Sequence, residues 1–325
     1  MFQKRNIFVA LLILAAMALA AFSSNQNFTE TPSQEGEGDM PFFDGEDAFS
    51  FAEMQLGYGL RPTGSPALEA LRQEMISILE EEGWEVVVQE FEHNANGEVF
   101  LAKNIIARKG QGPITLISSH YDSRMIADKD PEEANRSEGV PGANDGASST
   151  GALLELAGVI DDHYDLTDHQ IWLVFFDAED NGNIPGWDWI IGSRYMATNL
   201  SMLGITPDSI EFVLLLDMIG DKTDQRFTLE RYSLTNAPHK VVELWQIAGE
   251  LGYSDTFTPE IGSTIIDDHV PFIELGIPAV DIIGWPFEYH HTTSDTLENI
   301  SPESIDRVGD VVEIYLLRSG IIERR

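Results

Sequence analysis

Four stretches of this chain are nearly unbroken apolar runs, "PITLISSHYDS", "QIWLVFFDAED", "EFVLLLDMIGD" and "IPAVDIIGW", and the first three end in polar residues. A strand with one wet face alternates apolar and polar residues. Continuous runs therefore belong to strands covered on both faces. Helix-patterned segments separate or follow them: "STGALLELAGVIDDH", "HKVVELWQIAGELG" and the closing "SPESIDRVGDVVEIYLLRSGIIE". Buried strands alternating with helices specify an α/β fold, with a mostly parallel central sheet flanked by helices in a single domain. Ahead of the first run, "SPALEALRQEMISILEEEG" reads as a helix with Ser65 as N-cap, Pro66 in the first turn and Gly83 at the end. "WEVVVQEFEH" alternates like a strand, and "FLAKNIIARKG" is its partner. No internal repeat is present.

The first residues, "MFQKRNIFVALLILAAMALAAFSSN", place Lys4 and Arg5 before an apolar stretch from Ile7 to Ala21. Ala18-Leu19-Ala20 fits a small-x-small cleavage site, so residues 1–22 read as a secretory signal peptide. The stretch is short for a membrane span of about 20 residues, although left uncleaved it would serve as a tether. Either way the expectation is a secreted or extracytoplasmic protein. Residues 23–48 read as an acidic flexible linker and 49–325 as the catalytic domain. The chain has no cysteine, so its core or a metal must hold it together without disulfides. Its net charge of −36 disfavours nucleic acid and anionic membrane as partners; it favours solubility and attraction of cations.

The buried runs end in acids and a histidine: His120 and Asp122, Glu179 and Asp180, and Asp217. Sites in open α/β sheets form at the carboxyl ends of the strands. Asp145, in the loop "GANDGAS", would join the same rim. Zinc takes His nitrogen and carboxylate oxygen, and catalytic sites keep one position open. Two ions about 3.5–4 Å apart can share a bridging carboxylate. The chain can supply such a site: His120 and Asp217 for one ion, Asp180 and His291 for the other, and Asp145 as the bridge. Glu179 then stays free as general base, because adjacent residues at a strand end point in different directions. Taken singly, each has an ordinary reading. His120 could be a hydrogen-bonded core residue, Asp145 a turn former, Asp217 a helix cap and Asp180 a solvated acid. As a set they point to metal.

"HYDS", "NDGASSTGALLELA", "FFDAED", "GSRYMA", "LLLDMIG" and "HHTTSDTLENIS" resemble, in that order, metallopeptidase family 28. These are zinc aminopeptidases with a central mixed sheet, and the glutaminyl cyclases share their fold. The resemblance runs from "RPTGSP" to Ser301 and implies zinc, one or two ions, at His120, Asp145, Asp180, Asp217 and His291, with Glu179 as base. It also implies peptide or protein N-termini as substrate; no partner protein is evident. One departure is Asp180, where the family usually has Glu. His290 competes with His291, and His291 is preferred because the family histidine is followed by Thr. Asp122 and Asp295 are candidates to support the ligands from behind.

Two chemistries compete within that resemblance. "IIDDHVPF" resembles the cyclase loop, in which the acid matching Asp267 joins Asp217 in an acid network around the proton relay. Trp187 follows the acid pair at cyclase-like spacing, and "WPFEY" brings Phe287 near the cyclase's aromatic wall. With Tyr289 and His290 these form the expected substrate pocket. Trp189 could join Trp187 and Phe287 in an apolar wall, although each singly could be core or rim packing. Against this, "NDGASSTG" has the aminopeptidase form, and His290 replaces the cyclase tryptophan before the ligand histidine. The sequence reading therefore favours hydrolysis of the N-terminal residue, with formation of N-terminal pyroglutamate by a glutaminyl-peptide cyclotransferase as the alternative. A domain kept only for binding ranks last, since the base and all five ligands are present.

Overall fold

A computed structural model describes residues 40–325; the expected signal peptide and most of the linker lie outside the described residues. Two helices open the domain, α1 (Gly45–Gly57) and α2 (Pro66–Glu81). As the sequence predicts, Ser65 caps α2 by accepting from the Leu68 amide at 3.1 Å, and Gly83 follows its end with a φ of +72°. The hairpin β1 (Glu85–Ala95) and β2 (Glu98–Gly110) comes next, then the fully buried β3 (Ile114–His120). The chain continues through α3 (Ser149–His163), β4 (Tyr164–Leu166), β5 (Gln170–Phe176), α4 (Ile191–Thr198) and β6 (Ile210–Asp217). It finishes with β7 (Phe227–Leu229), α5 (Arg231–Asn236), α6 (Pro238–Glu250), β8 (Phe257–Ile261), α7 (Val270–Glu274), β9 (Ala279–Ile283), α8 (Pro302–Arg318) and β10 (Ile322–Arg324).

The six-stranded sheet has the order β1-β2-β5-β3-β6-β9. β1, β2 and β5 pair antiparallel, while β5, β3, β6 and β9 are mutually parallel, so the sheet is mixed but mostly parallel. The apolar runs are the parallel strands, and helices cover them on both faces. The larger core lies on the side of α1, α2, α3, α6 and α8, and a second cluster around Trp172, Phe176 and Phe272 lies on the side of α4 and α7. Because the chain leaves β3 to pair β5 on one side and β6 on the other, the strand order reverses at β3. That is where α/β sheets open a crevice at their carboxyl ends.

Order begins earlier than the expected boundary at residue 49. Asp44 caps α1, accepting from the Glu46 amide at 2.8 Å. Phe43 is buried, and its ring occupies the space a side chain on Gly309 of α8 would need. Glu313, fully buried in α8, accepts from the Phe42 and Phe43 amides at 2.9 and 2.8 Å. Residues 42–48 therefore belong to the domain, because an aromatic ring and a buried carboxylate bind them to the last helix. Among the described residues no helix is long and apolar enough to cross a membrane.

Candidate metal centre

The strand ends converge as the sequence predicts. β3 delivers His120, β6 ends on Asp217, and the turn after β5 carries Glu179 and Asp180. Asp145 arrives on a tight turn, residues 143–148, just before α3. Gly146 makes that turn possible. Its φ is +98°, and a Cβ there would meet the Asp122 carbonyl and the His120 ring, each at 3.0 Å. Of the six non-glycine residues with positive φ among the described residues, three sit at this centre: Ala178 beside Glu179, Met218 beside Asp217, and His291 itself. Such backbones cost on the order of 1–3 kcal/mol each and gather where a site demands them.

Asp145 stands at the middle. His120 Nε2 lies 3.1 Å from Asp145 Oδ1 and 3.4 Å from Asp217 Oδ1. On the other side His291 Nε2 lies 2.8 Å from Asp180 Oδ1 and 3.6 Å from Asp145 Oδ2. His120, Asp145 and Asp217 form one trio whose ligand atoms all lie within 4.8 Å of one another; Asp145, His290 and His291 form another. The ring nitrogens of His120 and His291, with Asp145 Oδ2, Asp180 Oδ2 and Asp217 Oδ1, are buried without a hydrogen-bond partner. Buried polar atoms without partners cost about 1–3 kcal/mol each. Ligands on a tetrahedral ion at 2.0–2.1 Å stand roughly 3.3 Å apart. The spacing and the missing hydrogen bonds are both what a divalent cation requires, and the donor set of imidazole and carboxylate suits zinc.

Two further buried acids, Asp122 and Asp295, hold the backbone behind these residues. Asp122 accepts from the amides of Glu179 and Asp180 at 3.1 and 3.4 Å, and its Oδ1 is 3.5 Å from His120 Nδ1. Asp295 accepts from the Asn144 and Asp145 amides at 2.8 and 3.1 Å, fixing the turn that presents Asp145. Replacing Asp295 by Ala should weaken zinc affinity about 10–100-fold, the usual cost of losing a residue that orients a ligand; a competition titration with a chelator would measure it. Burial pushes the Glu179 and Asp180 carboxyls well above the ordinary range, and neighbouring acids push further. Burial likewise raises Asp267 well above its usual value, with the charge of Asp217 the next cause. It lowers His290 and His291 to about 3, leaving both rings neutral and able to offer a lone pair.

A cavity of about 460 Å³ opens onto this centre, bordered by Glu179, Asp180, Asp217, Asp267 and His291. The expected wall holds only in part: Trp189 and His290 line the cavity, while Trp187, Phe287 and Tyr289 do not. Trp187 packs against His93 and Phe100 in a separate cluster, with ring centroids 4.5 and 4.9 Å away. Phe287 and Tyr289 sit behind the wall, in a cluster with Met218 and Ile283, and do not line the cavity. Trp285, not expected from the sequence, joins Trp189 on the lining. Trp189 stacks on His291 at 5.7 Å, and Trp285 stands edge-on to His290 at 4.8 Å. In the turn after Asp180, Trp187 and Trp189 differ by two positions in an irregular loop, so no strand or helix period could choose between them. His290 lines the cavity with its Nδ1 2.7 Å from Lys129 Nζ, while its Nε2 reaches only 3.7 Å from Asp145. His291, nearer the acids, is the better ligand.

A rim of buried carboxylates and imidazoles, at the carboxyl ends of a mostly parallel sheet, defines an enzyme of the zinc-exopeptidase fold. The chain belongs to Peptidase family M28, which residues 104–316 match. It is similar to the glutaminyl cyclase of Porphyromonas gingivalis: TM-score 0.79, 34% identity, 86% of this chain and 99% of that one covered. A Zn-dependent exopeptidase of Parabacteroides distasonis gives TM-score 0.79 and 32% identity, over 85% of this chain and 99% of that one. Aminopeptidase YwaD of Bacillus subtilis is 29% identical over 206 residues; they cover 61% of this chain but only 39% of that protein's length.

Proposed function

We propose that the protein is a glutaminyl-peptide cyclotransferase, closing an N-terminal Gln into pyroglutamate. The observation that carries this is Asp267. It is a buried carboxyl on the cavity wall whose proton affinity is raised by burial and by Asp217, and no Lys or Arg is paired with it among the described residues. Asp180 is raised in the same way, but His291 Nε2 stands 2.8 Å from it. Among the described residues no imidazole pairs with Asp267 and it belongs to neither ligand trio, which suits the passing and holding of protons more than the binding of metal. The Porphyromonas gingivalis cyclase is matched over almost its whole length, which fits this reading, but the Parabacteroides distasonis exopeptidase is matched equally, so the choice rests on Asp267. This reverses the preference drawn from "NDGASSTG", a loop whose visible work here is to turn the chain at Asp145.

Zinc held by Asp145, Asp180 and His291 would supply the positive charge that polarises the γ-amide carbonyl. The residues of the chain do the remainder. Glu179 takes a proton from the α-amine as that nitrogen bonds to the side-chain carbonyl carbon, Cδ, and returns it to the amide nitrogen as the Cδ–N bond breaks and ammonia leaves. Asp217 and Asp267 hold the acid network steady around that transfer. Trp189 and Trp285 exclude water, which would otherwise compete with the amine.

A second reading, hydrolysis of the N-terminal residue, is favoured by one feature: Asp145 belongs to both ligand trios, as a carboxylate bridging two ions would. The deciding experiment is a paired assay on purified protein loaded with zinc. Ammonia released from a Gln-first peptide without cleavage of the chain establishes the cyclase. Release of nitroaniline from Leu-p-nitroanilide, with a silent Gln peptide, overturns it in favour of the peptidase. Export of the protein from the cytoplasm is part of the proposal and is tested by fractionating cells that express the full chain.

A further inference from the structure

The cavity is anionic around its floor, with Asp145, Glu179, Asp180, Asp217 and Asp267 on the lining, and Lys129 is the only Lys or Arg among the lining residues. In a chain with 55 acids and 19 Lys and Arg, an exposed cation at that mouth is not explained by composition. It is also firmly placed. The Lys129 amide donates to the His291 carbonyl at 3.2 Å. Its Nζ donates to His290 Nδ1 at 2.7 Å and lies over the Trp285 ring, 5.6 Å from the centroid. The next residue pins the same loop, since Asp130 accepts from the Thr293 amide and hydroxyl at 2.9 and 2.6 Å. Nor does the neighbouring Asp128 cancel the charge. Its carboxylate is taken by Arg124, at 2.7 and 3.2 Å.

His290 and His291 reach Asp145 Oδ2 at 3.7 and 3.6 Å, and the exposed Lys129, bonded to His290, stands one side chain further out. A peptide whose first residue sits at the metal centre would therefore pass its next residue close to Lys129. Elsewhere on the lining Ile265 and the exposed Ile266 offer apolar surface for a side-chain stem. We propose that Lys129 is a specificity residue, selecting substrates that carry a carboxylate just past the first residue. This rests on the peptide N-terminus reading of the site. The carboxylate can be an acidic side chain at the second position or the free end of a dipeptide.

The test is a set of kcat/KM ratios at low salt. Gln-Glu-Ala amide is compared with its neutral near-isostere Gln-Gln-Ala amide, and Gln-Ala as the free acid with Gln-Ala amide. The first ratio reads a side-chain carboxylate and the second a terminal one. An exposed pair of this kind should give a preference of roughly two- to fivefold, shrinking as salt is raised. Lys129→Met should bring the favoured ratio to one and Lys129→Arg should preserve it. Were Lys129 only a prop for His290, Lys129→Met would slow all peptides alike and leave the ratio standing, which overturns the proposal. Equal rates for acidic and neutral peptides in the wild type also overturn it. If Gln-first peptides are inert, the cyclase reading is what has failed. The same ratios are then read on Leu-first peptides, where an acidic preference supports the role of Lys129 and equal rates reject it.

Discussion

Glu179→Gln should lower turnover by about 10²–10⁴-fold, the usual worth of a positioned proton carrier, while zinc content stays unchanged. Glu179 belongs to neither ligand trio, yet it lies on the cavity wall next to Asp180. Its amide is held by Asp122, and Ala178 before it is forced into a left-handed backbone. The side chain's direction is therefore set by the main chain, and Gln would occupy the same place. What Gln lacks is a carboxylate able to take a proton. Both readings of the chemistry require that step, so the loss should appear whichever substrate proves correct. Metal analysis and circular dichroism on the variant separate lost chemistry from lost structure. A variant that keeps its zinc and retains turnover within about tenfold would remove Glu179 from the role of base.

The parallel strands and long helices were legible because burial on both faces leaves an unmistakable apolar run, and because caps such as Ser65 mark where a helix begins. His120, Asp180 and Asp217 were legible for a related reason: a polar residue closing a buried strand has little else to do at a sheet's carboxyl rim. The pocket wall was legible only in part. Trp187 and Trp189 share one irregular loop, and only the fold shows that the first turns toward Phe100 and the second toward His291. Phe287 and Tyr289 follow the same logic, since an aromatic segment near a site can face the cavity or the core behind it. Lys129 carried no signal, because a lysine between two aspartates reads as solvated surface until the loop's bonds to His291 and Thr293 are seen. The early start of the domain was missed because its anchor is distant: Phe43 meets Gly309, at the other end of the sequence.

Removing the metal should cost the protein much of its stability, and more at higher pH. Without a cation the centre keeps His120, His291 and three acids buried with polar atoms unsatisfied. A ligand present at 1,000 times its Kd stabilises by about 4 kcal/mol. For a domain of this size that is on the order of 10 °C in Tm. The pH dependence follows from burial. Buried acids here bind protons more tightly folded than unfolded: burial raises Asp268 to about 7 and Asp295 to about 8, the latter with help from Asp145. His290 and His291, lowered to about 3, act the other way below about pH 6.5, but Glu179, Asp180, Asp267 and Asp177 are raised as well. The folded, metal-free protein thus holds more protons than the unfolded chain, and its stability falls as pH rises, most plainly between about pH 6.5 and 8. Zinc binding runs the other way, because its ligands must be deprotonated. Thermal unfolding with and without chelator should show a gap that widens from pH 5 to pH 8. In Asp145→Ala the gap should vanish at every pH, because that residue is common to both ligand trios. A gap that persists in Asp145→Ala would mean the stabilising ion is held elsewhere, and the centre would have to be redrawn without its bridge.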